Sequence, residues 1–243
     1  MKKNKIVITG GTSRFASVFK KSEIRHELFF PSKNELNILN YQKIKKYLSK
    51  IKPKILIHLA GLSRPMKIHE EDIKKSIDLN IIGTANVTKA CEEKNIKLIY
   101  FSTHYVYPGT EGNYKETDPL LPVNNYAWSK LGGEASVQMY KNSLILRLCM
   151  TEKPFVHDAA YANVTTSFIY HEKVAEILRS LLSKKGILNI GGKKRIIYDF
   201  VKKENKFIKK IFLKKKDQKK IKIPINSSLN ITKLKKIIKN IKL

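Results

Sequence analysis

The sequence predicts an α/β protein built on a doubly wound parallel sheet with helices on both faces. A short apolar strand at 5–9 runs into a glycine turn, and a stretch with helical spacing follows at once. Further apolar runs of strand length lie at 55–60, 97–103 and 144–148. Stretches with helical spacing separate them, at 41–51 and 73–93. Apolar strands that alternate with helices are typical of a parallel sheet buried on both faces.

Length and composition indicate one folded unit with a small additional lobe. A chain of 243 residues can bury a sizeable core. We expect a main domain over 1–148 and a small C-terminal lobe over 149–243, packed on that domain. Cys91 and Cys149 lie in apolar stretches, so we expect buried thiols and neither a disulfide nor a metal site. No secretory signal or long apolar run is evident, and we expect a cytoplasmic protein without a membrane span.

The formal charge of +29 raises the question of an anionic partner. The lysines are spread along the chain together with abundant Ile and Asn, and Arg does not interleave with aromatic residues in a stacking pattern. We therefore expect no nucleic-acid partner. The positive field would still attract an anionic nucleotide or nucleotide-sugar.

Three residues in the stretch 101–130 carry the chemistry that the sequence predicts. Tyr126 and Lys130 are four apart, so they share one face of a helix. A lysine at that spacing favours the phenolate and lowers the tyrosine pKa. Thr103 ends the strand upstream and can hold a substrate oxygen beside the phenol. Such a group can move a proton to or from a carbonyl oxygen while a cofactor moves a hydride.

The sequence around these residues resembles the active-site stretch of the extended short-chain dehydrogenase/reductase family. The resemblance rests on FSTHYVYPG, ETDPLLPVNNY and YAWSKLGGE, and it is strongest to the branch of dTDP-4-dehydrorhamnose reductase and GDP-fucose synthase. It implies a Rossmann-type fold, a nicotinamide cofactor on the N-terminal domain, a substrate lobe at the C-terminus, and Thr103, Tyr126 and Lys130 as catalytic residues.

The family's glycine motif is altered in this chain. Its three glycine positions correspond to Gly10, Ser13 and Ala16. We expect the turn to present backbone N–H groups to a pyrophosphate, as such turns do. Ser13 is small and its hydroxyl can donate to a phosphate, while Arg14 can add a phosphate contact and Phe15 completes the cofactor-binding turn.

The second strand, at 26–31, leads to Ser32 and Lys33, where NAD-binding proteins carry a carboxylate for the adenosine ribose. A hydroxyl and an ammonium suit a 2′-phosphate better, so we expect NADPH, with NADH as the alternative. The resemblance adds further cofactor contacts: Leu39 and Asn40 near the adenine, and Leu59, Ala60 and Gly61 in the loop after the third strand.

Four more polar residues have predicted places. Arg64 is expected to face the substrate, and Asn80 to brace the active site from the helix at 73–93. His58 is predicted to be a hydrogen-bonded core residue. Arg147 lies inside an apolar strand, so we expect a fixed partner for it.

The C-terminal third predicts a basic amphipathic helix at 198–212 and a closing helix near the end, both folded onto the domain.

The predicted reaction is reduction of a 4-keto nucleotide-sugar by NADPH, with Tyr126 as proton donor. The first alternative is an epimerase or dehydratase of the same family with tightly bound NAD. The second is a non-catalytic, cofactor-binding regulatory relative, for which the altered glycine turn and the short segment 150–163 argue. The third assigns the basic surface to membrane or nucleic-acid attachment. A homodimer, the sugar and its nucleotide are left open.

Overall fold

The computed structural model describes residues 3–22, 24–238 and 241. The strands, in chain order, are β1 Lys5–Thr9, β2 Glu27–Phe29, β3 Ile55–His58, β4 Lys97–Thr103, β5 Ser143–Leu148, β6 Met150–Thr151, β7 Ala159–Tyr161, β8 Thr165–Thr166, β9 Ile169–Tyr170, β10 Gly186–Ile190, β11 Arg195–Ile196 and β12 Lys209–Ile211. The α-helices are α1 Arg14–Lys20, α2 Tyr41–Ile51, α3 Ile68–Glu71, α4 Ile73–Ile77, α5 Gly83–Glu93, α6 Asn125–Gln138, α7 His171–Leu181, α8 Ile197–Val201 and α9 Thr232–Ile237.

Six parallel strands form the central sheet, in the spatial order β10-β5-β4-β3-β1-β2. The chain leaves β1 towards β2 and then returns to place β3 on the other side of β1. The strand order therefore reverses between β1 and β3, which is where open α/β sheets bind ligands at the carboxyl ends of their strands. The predicted fold class, a Rossmann-type doubly wound sheet, is confirmed.

The interiors of the central strands are largely apolar because both faces of the sheet are buried. Within β1, Ile6 and Ile8 pack in one apolar cluster, while Val7 between them packs in the other. The same division places Ile57 in the first cluster and Leu56 in the second. Successive side chains point to opposite faces of a strand, so one continuous apolar run serves two cores.

The long helical stretch predicted at 73–93 is present, but it contains a π-helical segment. The segment spans Asp78–Ile82, between α4 and α5. It contains Asn80, whose side-chain amide donates to the carbonyl oxygen of Leu62 at 2.9 Å and to Ser129 Oγ at 2.8 Å. Its Oδ1 accepts from the N–H of Leu62 at 2.7 Å. The predicted bracing role of Asn80 is thus seen as a link between the loop after β3 and helix α6.

The prediction of a basic amphipathic helix at 198–212 is wrong. Helix α8 ends at Val201, and the chain then turns and forms β12, parallel to β7. Asn205 begins the change of direction, because its Oδ1 accepts from the N–H of Phe207 at 3.0 Å. Phe207 is 94% exposed and Ile208 is buried, so the apolar residues of this stretch do not share one helix face.

The C-terminal part returns to the main sheet and closes over it. Strand β10 is the sixth strand of the central sheet, paired with β5. Helix α9 follows, with Leu234 fully buried. It agrees with the predicted closing helix, of which residues 239, 240, 242 and 243 lie outside the described residues. Among the helices that the structure describes, none has the length and hydrophobicity to cross a membrane.

Candidate active site

The reversal point of the sheet is built by close backbone contact between the loops after β1 and β3. Gly10 has φ +69°, and a Cβ added to it would lie 2.7 Å from the backbone nitrogen of Ala60. Thr9 holds the two loops together, because its hydroxyl accepts from the N–H groups of Leu59 and Ala60, each at 3.2 Å. Only glycine fits the position of Gly10, in both space and backbone conformation.

His58 ends β3 beneath this loop and is the core histidine that the sequence predicts. Its Nδ1 lies 2.7 Å from the Thr9 hydroxyl and its Nε2 lies 3.2 Å from the Thr84 hydroxyl. Burial lowers the pKa of His58 to about 3. His58 is therefore neutral at physiological pH, where it links two hydroxyl groups through hydrogen bonds and cannot act as a general acid.

Helix α1 begins directly after the glycine turn. Ser13 caps it, since its Oγ accepts from the N–H of Ala16 at 3.2 Å. Phe15 is buried against Phe101 on β4, with ring centroids 4.9 Å apart. The turn is therefore compact, although serine and alanine stand at two of the family's glycine positions.

A cleft of about 820 Å³ opens above the carboxyl ends of the strands. It brings together nine of the residues predicted from the sequence: Ser13, Arg14, Phe15, Leu59, Gly61, Arg64, Thr103, Tyr126 and Lys130. Gly10 and Ala60 lie in the backbone contact beneath its edge. Ser32, Lys33, Leu39 and Asn40 are not among the residues that line it.

Tyr126 lies in the first turn of α6, which Asn124 caps by accepting from the N–H of Ala127 at 2.9 Å. Its ring packs edge-on against His69, with centroids 5.1 Å apart. Burial raises the pKa of Tyr126, while a hydrogen bond with the Thr103 hydroxyl and the charge of Arg64 act in the opposite direction. The phenol is therefore protonated at neutral pH and adjoins the hydroxyl predicted to work with it.

Lys130 lies one turn further along α6, and its Nζ is 4.3 Å from the centroid of the Tyr100 ring. Burial lowers the pKa of Lys130 to about 7, and the charge of Glu134 limits that fall. The prediction that Lys130 depresses the pKa of Tyr126 is not met in this structure. The physical reason is that the ammonium contacts an aromatic face and is itself destabilised by burial, so the positive charge acting on Tyr126 comes from Arg64.

A buried ion pair fixes α6 against the sheet. Arg147 Nη2 lies 2.6 Å from Glu134 Oε1, and both side chains are at most 2% exposed. Ser102, next to Thr103, donates its hydroxyl to Glu134 Oε2 at 2.5 Å. The fixed partner predicted for Arg147 is thus Glu134. The ion pair anchors the helix of Lys130 to β5, and the hydrogen bond from Ser102 anchors it to β4, the strand of Thr103.

The segment after β2 differs from the prediction in one respect. The sequence showed no carboxylate at the end of the second strand, but the structure places Glu35 in this loop. Its Oε2 accepts from the N–H and the hydroxyl of Ser32 at 2.8 and 2.9 Å. These hydrogen bonds lower the pKa of Glu35. Ser32 and Lys33 are exposed, so the predicted 2′-phosphate contacts share this loop with a negative charge.

Leu39 and Asn40, predicted near the adenine, lie at the start of α2. Asn40 caps that helix by accepting from the N–H of Lys43 at 2.9 Å, and Leu39 is 40% exposed. A local capping role therefore accounts for Asn40 in the structure, and contact of either residue with an adenine stays a prediction.

Glu152 is the cleft residue that sequence reasoning missed. Its carboxylate accepts from Arg64 through two hydrogen bonds, at 3.0 and 3.3 Å, and Arg14 Nη1 lies 2.9 Å from Oε1. Burial raises the pKa of Glu152, but the charges of Arg64 and Arg14 outweigh it, and the pKa lies below its usual value. The segment 150–163 carries no regular pattern, and the two arginines are remote in sequence, so no local signal marks this residue.

Comparisons with known proteins agree with this architecture. The chain is 32% identical over 114 residues to methionine adenosyltransferase 2 subunit beta of Xenopus laevis, which covers 46% of this chain and 34% of that protein. It is 27% identical over 152 residues to dTDP-4-dehydrorhamnose reductase of Aggregatibacter actinomycetemcomitans, covering 60% and 51%. The matched region thus spans about a third to a half of the length of these curated relatives.

Solved structures show the same fold. dTDP-4-dehydrorhamnose reductase of Bacillus anthracis in complex with NADP has a TM-score of 0.85 at 20% identity, covering 97% of this chain and 92% of that chain. UDP-glucose 4-epimerase of Thermus thermophilus in complex with NAD has a TM-score of 0.78 at 18% identity, covering 95% and 91%.

A family model decides the classification. The model of the RmlD substrate binding domain matches residues 4–176. The matched range is well over half of the 243 residues. The match agrees with the resemblance of the stretch 101–130 to dTDP-4-dehydrorhamnose reductases. The chain belongs to the RmlD substrate binding domain family.

Proposed function

We propose that this protein is an NADPH-dependent reductase of a 4-keto nucleotide-sugar. The observation that carries the proposal is that Thr103, Tyr126 and Lys130 meet in one cleft with the turn at Ser13–Phe15. A proton donor, a hydrogen-bonding hydroxyl and a turn suited to phosphates thereby lie around a single volume of about 820 Å³. Residues 149–243 also contribute β10 to the central sheet, and the remaining segments of this range would supply the substrate lobe.

The residues around the glycine turn fit a dinucleotide. A Cβ at Gly10 would meet backbone atoms of Leu59 and Ala60 under 3.0 Å, and one at Gly11 would lie 2.8 Å from Phe30 Cβ. Both glycines are therefore needed where the turn packs against the loops after β2 and β3. When bound, NADPH supplies the hydride. The B. anthracis neighbour in complex with NADP and the predicted pairing of Ser32 and Lys33 with a 2′-phosphate support NADPH over NADH.

Each catalytic side chain has a role that its surroundings support. Tyr126 is protonated at neutral pH, as a donor to a developing alkoxide must be. Thr103 donates a hydrogen bond to the same oxygen. Lys130, whose pKa burial lowers to about 7, would hold hydroxyl groups in the cleft in its protonated form. Proton donation by a positioned group contributes roughly 10²–10⁴ in rate. Holding both reactants in register supplies much of the remainder.

A second function has its own support. Two relatives above 30% identity are named as the beta subunit of methionine adenosyltransferase 2. A protein named as a subunit works with a partner chain, so the cleft could serve dinucleotide binding within an assembly. The altered glycine turn and the contact of Lys130 with Tyr100 in place of a pairing with Tyr126 also favour this candidate.

One assay separates these functions. Purified protein is mixed with NADPH and a panel of 4-keto nucleotide-sugars, and NADPH consumption and sugar products are followed. The proposal expects consumption that depends on both compounds and yields a reduced sugar. Interconversion of sugars without net consumption, by protein that carries stoichiometric NAD, would identify an epimerase. Saturable NADPH binding without any conversion would favour the subunit.

A further inference from the structure

A bridge of three charged side chains crosses the cleft between the cofactor turn and the loop after β3. Arg14 comes from the first turn of α1, Arg64 follows β3, and Glu152 follows β6. Glu152 Oε1 is shared, at 2.9 Å from Arg14 Nη1 and 3.0 Å from Arg64 Nη1. Two guanidinium groups from opposite sides of the reversal point thus converge on one anion.

The three side chains of the bridge differ in their exposed fractions. The side chain of Glu152 is only 13% exposed, whereas those of Arg14 and Arg64 are 50% and 36% exposed. The carboxylate is therefore more buried than the two guanidinium groups, and all three side chains line the cleft. Guanidinium groups bind carboxylates and phosphates through the same planar pairs of donors.

The charges do not cancel within the bridge. Two arginines and one carboxylate leave one net positive charge. The neighbouring His157 and His171 add none at neutral pH, because burial lowers the pKa of both. Asp158 is another carboxylate of the cleft lining, but the two arginines are directed to Glu152.

We propose that Arg14 and Arg64 form one phosphate-binding subsite, and that Glu152 competes for it as an internal anion. The inference deepens the proposed function and rests on it, since the phosphate would come from the dinucleotide or from the nucleotide-sugar. Glu152 lowers the affinity for every phosphate compound. The cleft then retains only ligands that gain further contacts elsewhere, and a product that carries phosphates leaves more easily.

The test uses Glu152→Gln, which removes the charge and keeps an oxygen that can accept from both arginines. Calorimetric titrations of wild type and variant with inorganic pyrophosphate, NADPH and dTDP give the affinities. We expect pyrophosphate to bind E152Q about threefold or more tightly, the effect of one unit charge at roughly 6 Å under water-like screening. The control is Glu204→Gln, which removes a carboxylate paired with Lys153 away from the cleft lining and should leave these affinities unchanged.

The ligands distinguish the source of the phosphate. A gain for NADPH without a gain for dTDP assigns the subsite to the dinucleotide, and the reverse assigns it to the nucleotide-sugar. Equal or weaker binding of all three compounds by E152Q overturns the proposal, as does absence of binding by both proteins. If E152Q does not fold, Arg64→Gln replaces it and must weaken pyrophosphate binding. A gain in E152Q without any NADPH consumption in the sugar assay would reject the reductase and keep the subsite.

Discussion

Arg147 and Glu134 form a buried ion pair that ties strand β5 to helix α6, with Nη2 and Oε1 2.6 Å apart. Glu134 also accepts from Ser102, the neighbour of Thr103. Lys130 precedes Glu134 by one helical turn. The positions of two proposed catalytic residues therefore depend on one pair that never contacts the cleft.

Arg147→Met should destabilise the fold by about 3–5 kcal/mol, because it leaves the Glu134 carboxylate buried without its cation. Urea unfolding measures the loss. The double variant Arg147→Met/Glu134→Leu should recover a large part of it, since no charge is then left uncompensated. Additive losses in the double variant would show that the pair contributes only packing.

Gly10→Ala tests the close approach at the reversal point. Alanine at φ +69° would bring a Cβ to 2.7 Å from the backbone nitrogen of Ala60. Gly186→Ala is a matched control, because Gly186 has φ +88° but no neighbouring atom within 4 Å of the added Cβ. We expect G10A to lower the free energy of unfolding by about 1–3 kcal/mol more than G186A. Equal losses in the two variants would contradict the close approach.

The pKa of Lys130 predicts how stability depends on pH. Burial lowers it from 10.5 to about 7, so between these values the unfolded chain holds a proton that the folded chain lacks. The contribution of Lys130 to stability must therefore rise with pH in that window, by about 1.4 kcal/mol per pH unit. Lys130→Met removes this dependence, so its advantage over wild type should shrink from pH 7 towards pH 10. Urea unfolding over that range measures the difference, and a constant difference would contradict the burial of the amine.

Removing the charge of Glu35 should change the preference between NADPH and NADH. Its carboxylate is held on Ser32, in the loop where a 2′-phosphate is expected to bind. Glu35→Gln removes the negative charge and should improve NADPH binding relative to NADH by roughly two- to fivefold, the effect of an exposed charge contact. Competition binding of the two cofactors measures the ratio. An unchanged ratio would place the 2′-phosphate elsewhere.

The sequence predicted those features that local pattern determines. Strand β4 spans the predicted segment 97–103, because the apolar residues at its centre are buried on both faces of the sheet. The sequence also predicted that Thr103 and Tyr126 lie in one site, because both belong to the stretch 101–130.

The rest depends on contacts that no local pattern contains. Asn205 forms a turn, and β7 offers a parallel partner to 209–211, so a stretch with helical spacing becomes a strand. Glu152 acquires its place from two arginines that lie 88 and 138 residues away in the chain. Lys130 contacts Tyr100 because the tertiary structure places an aromatic face beside it.

The central claim is tested most directly by Tyr126→Phe, with NADPH affinity and turnover measured on the same preparation. Calorimetry measures the NADPH affinity, since Trp128, between Tyr126 and Lys130, is 50% exposed and is not among the residues that line the cleft. The reductase account predicts that turnover falls by about 10²–10⁴ while NADPH binding is unchanged. Turnover that persists in the variant, or equal loss of turnover and binding, would contradict the role of Tyr126 as proton donor.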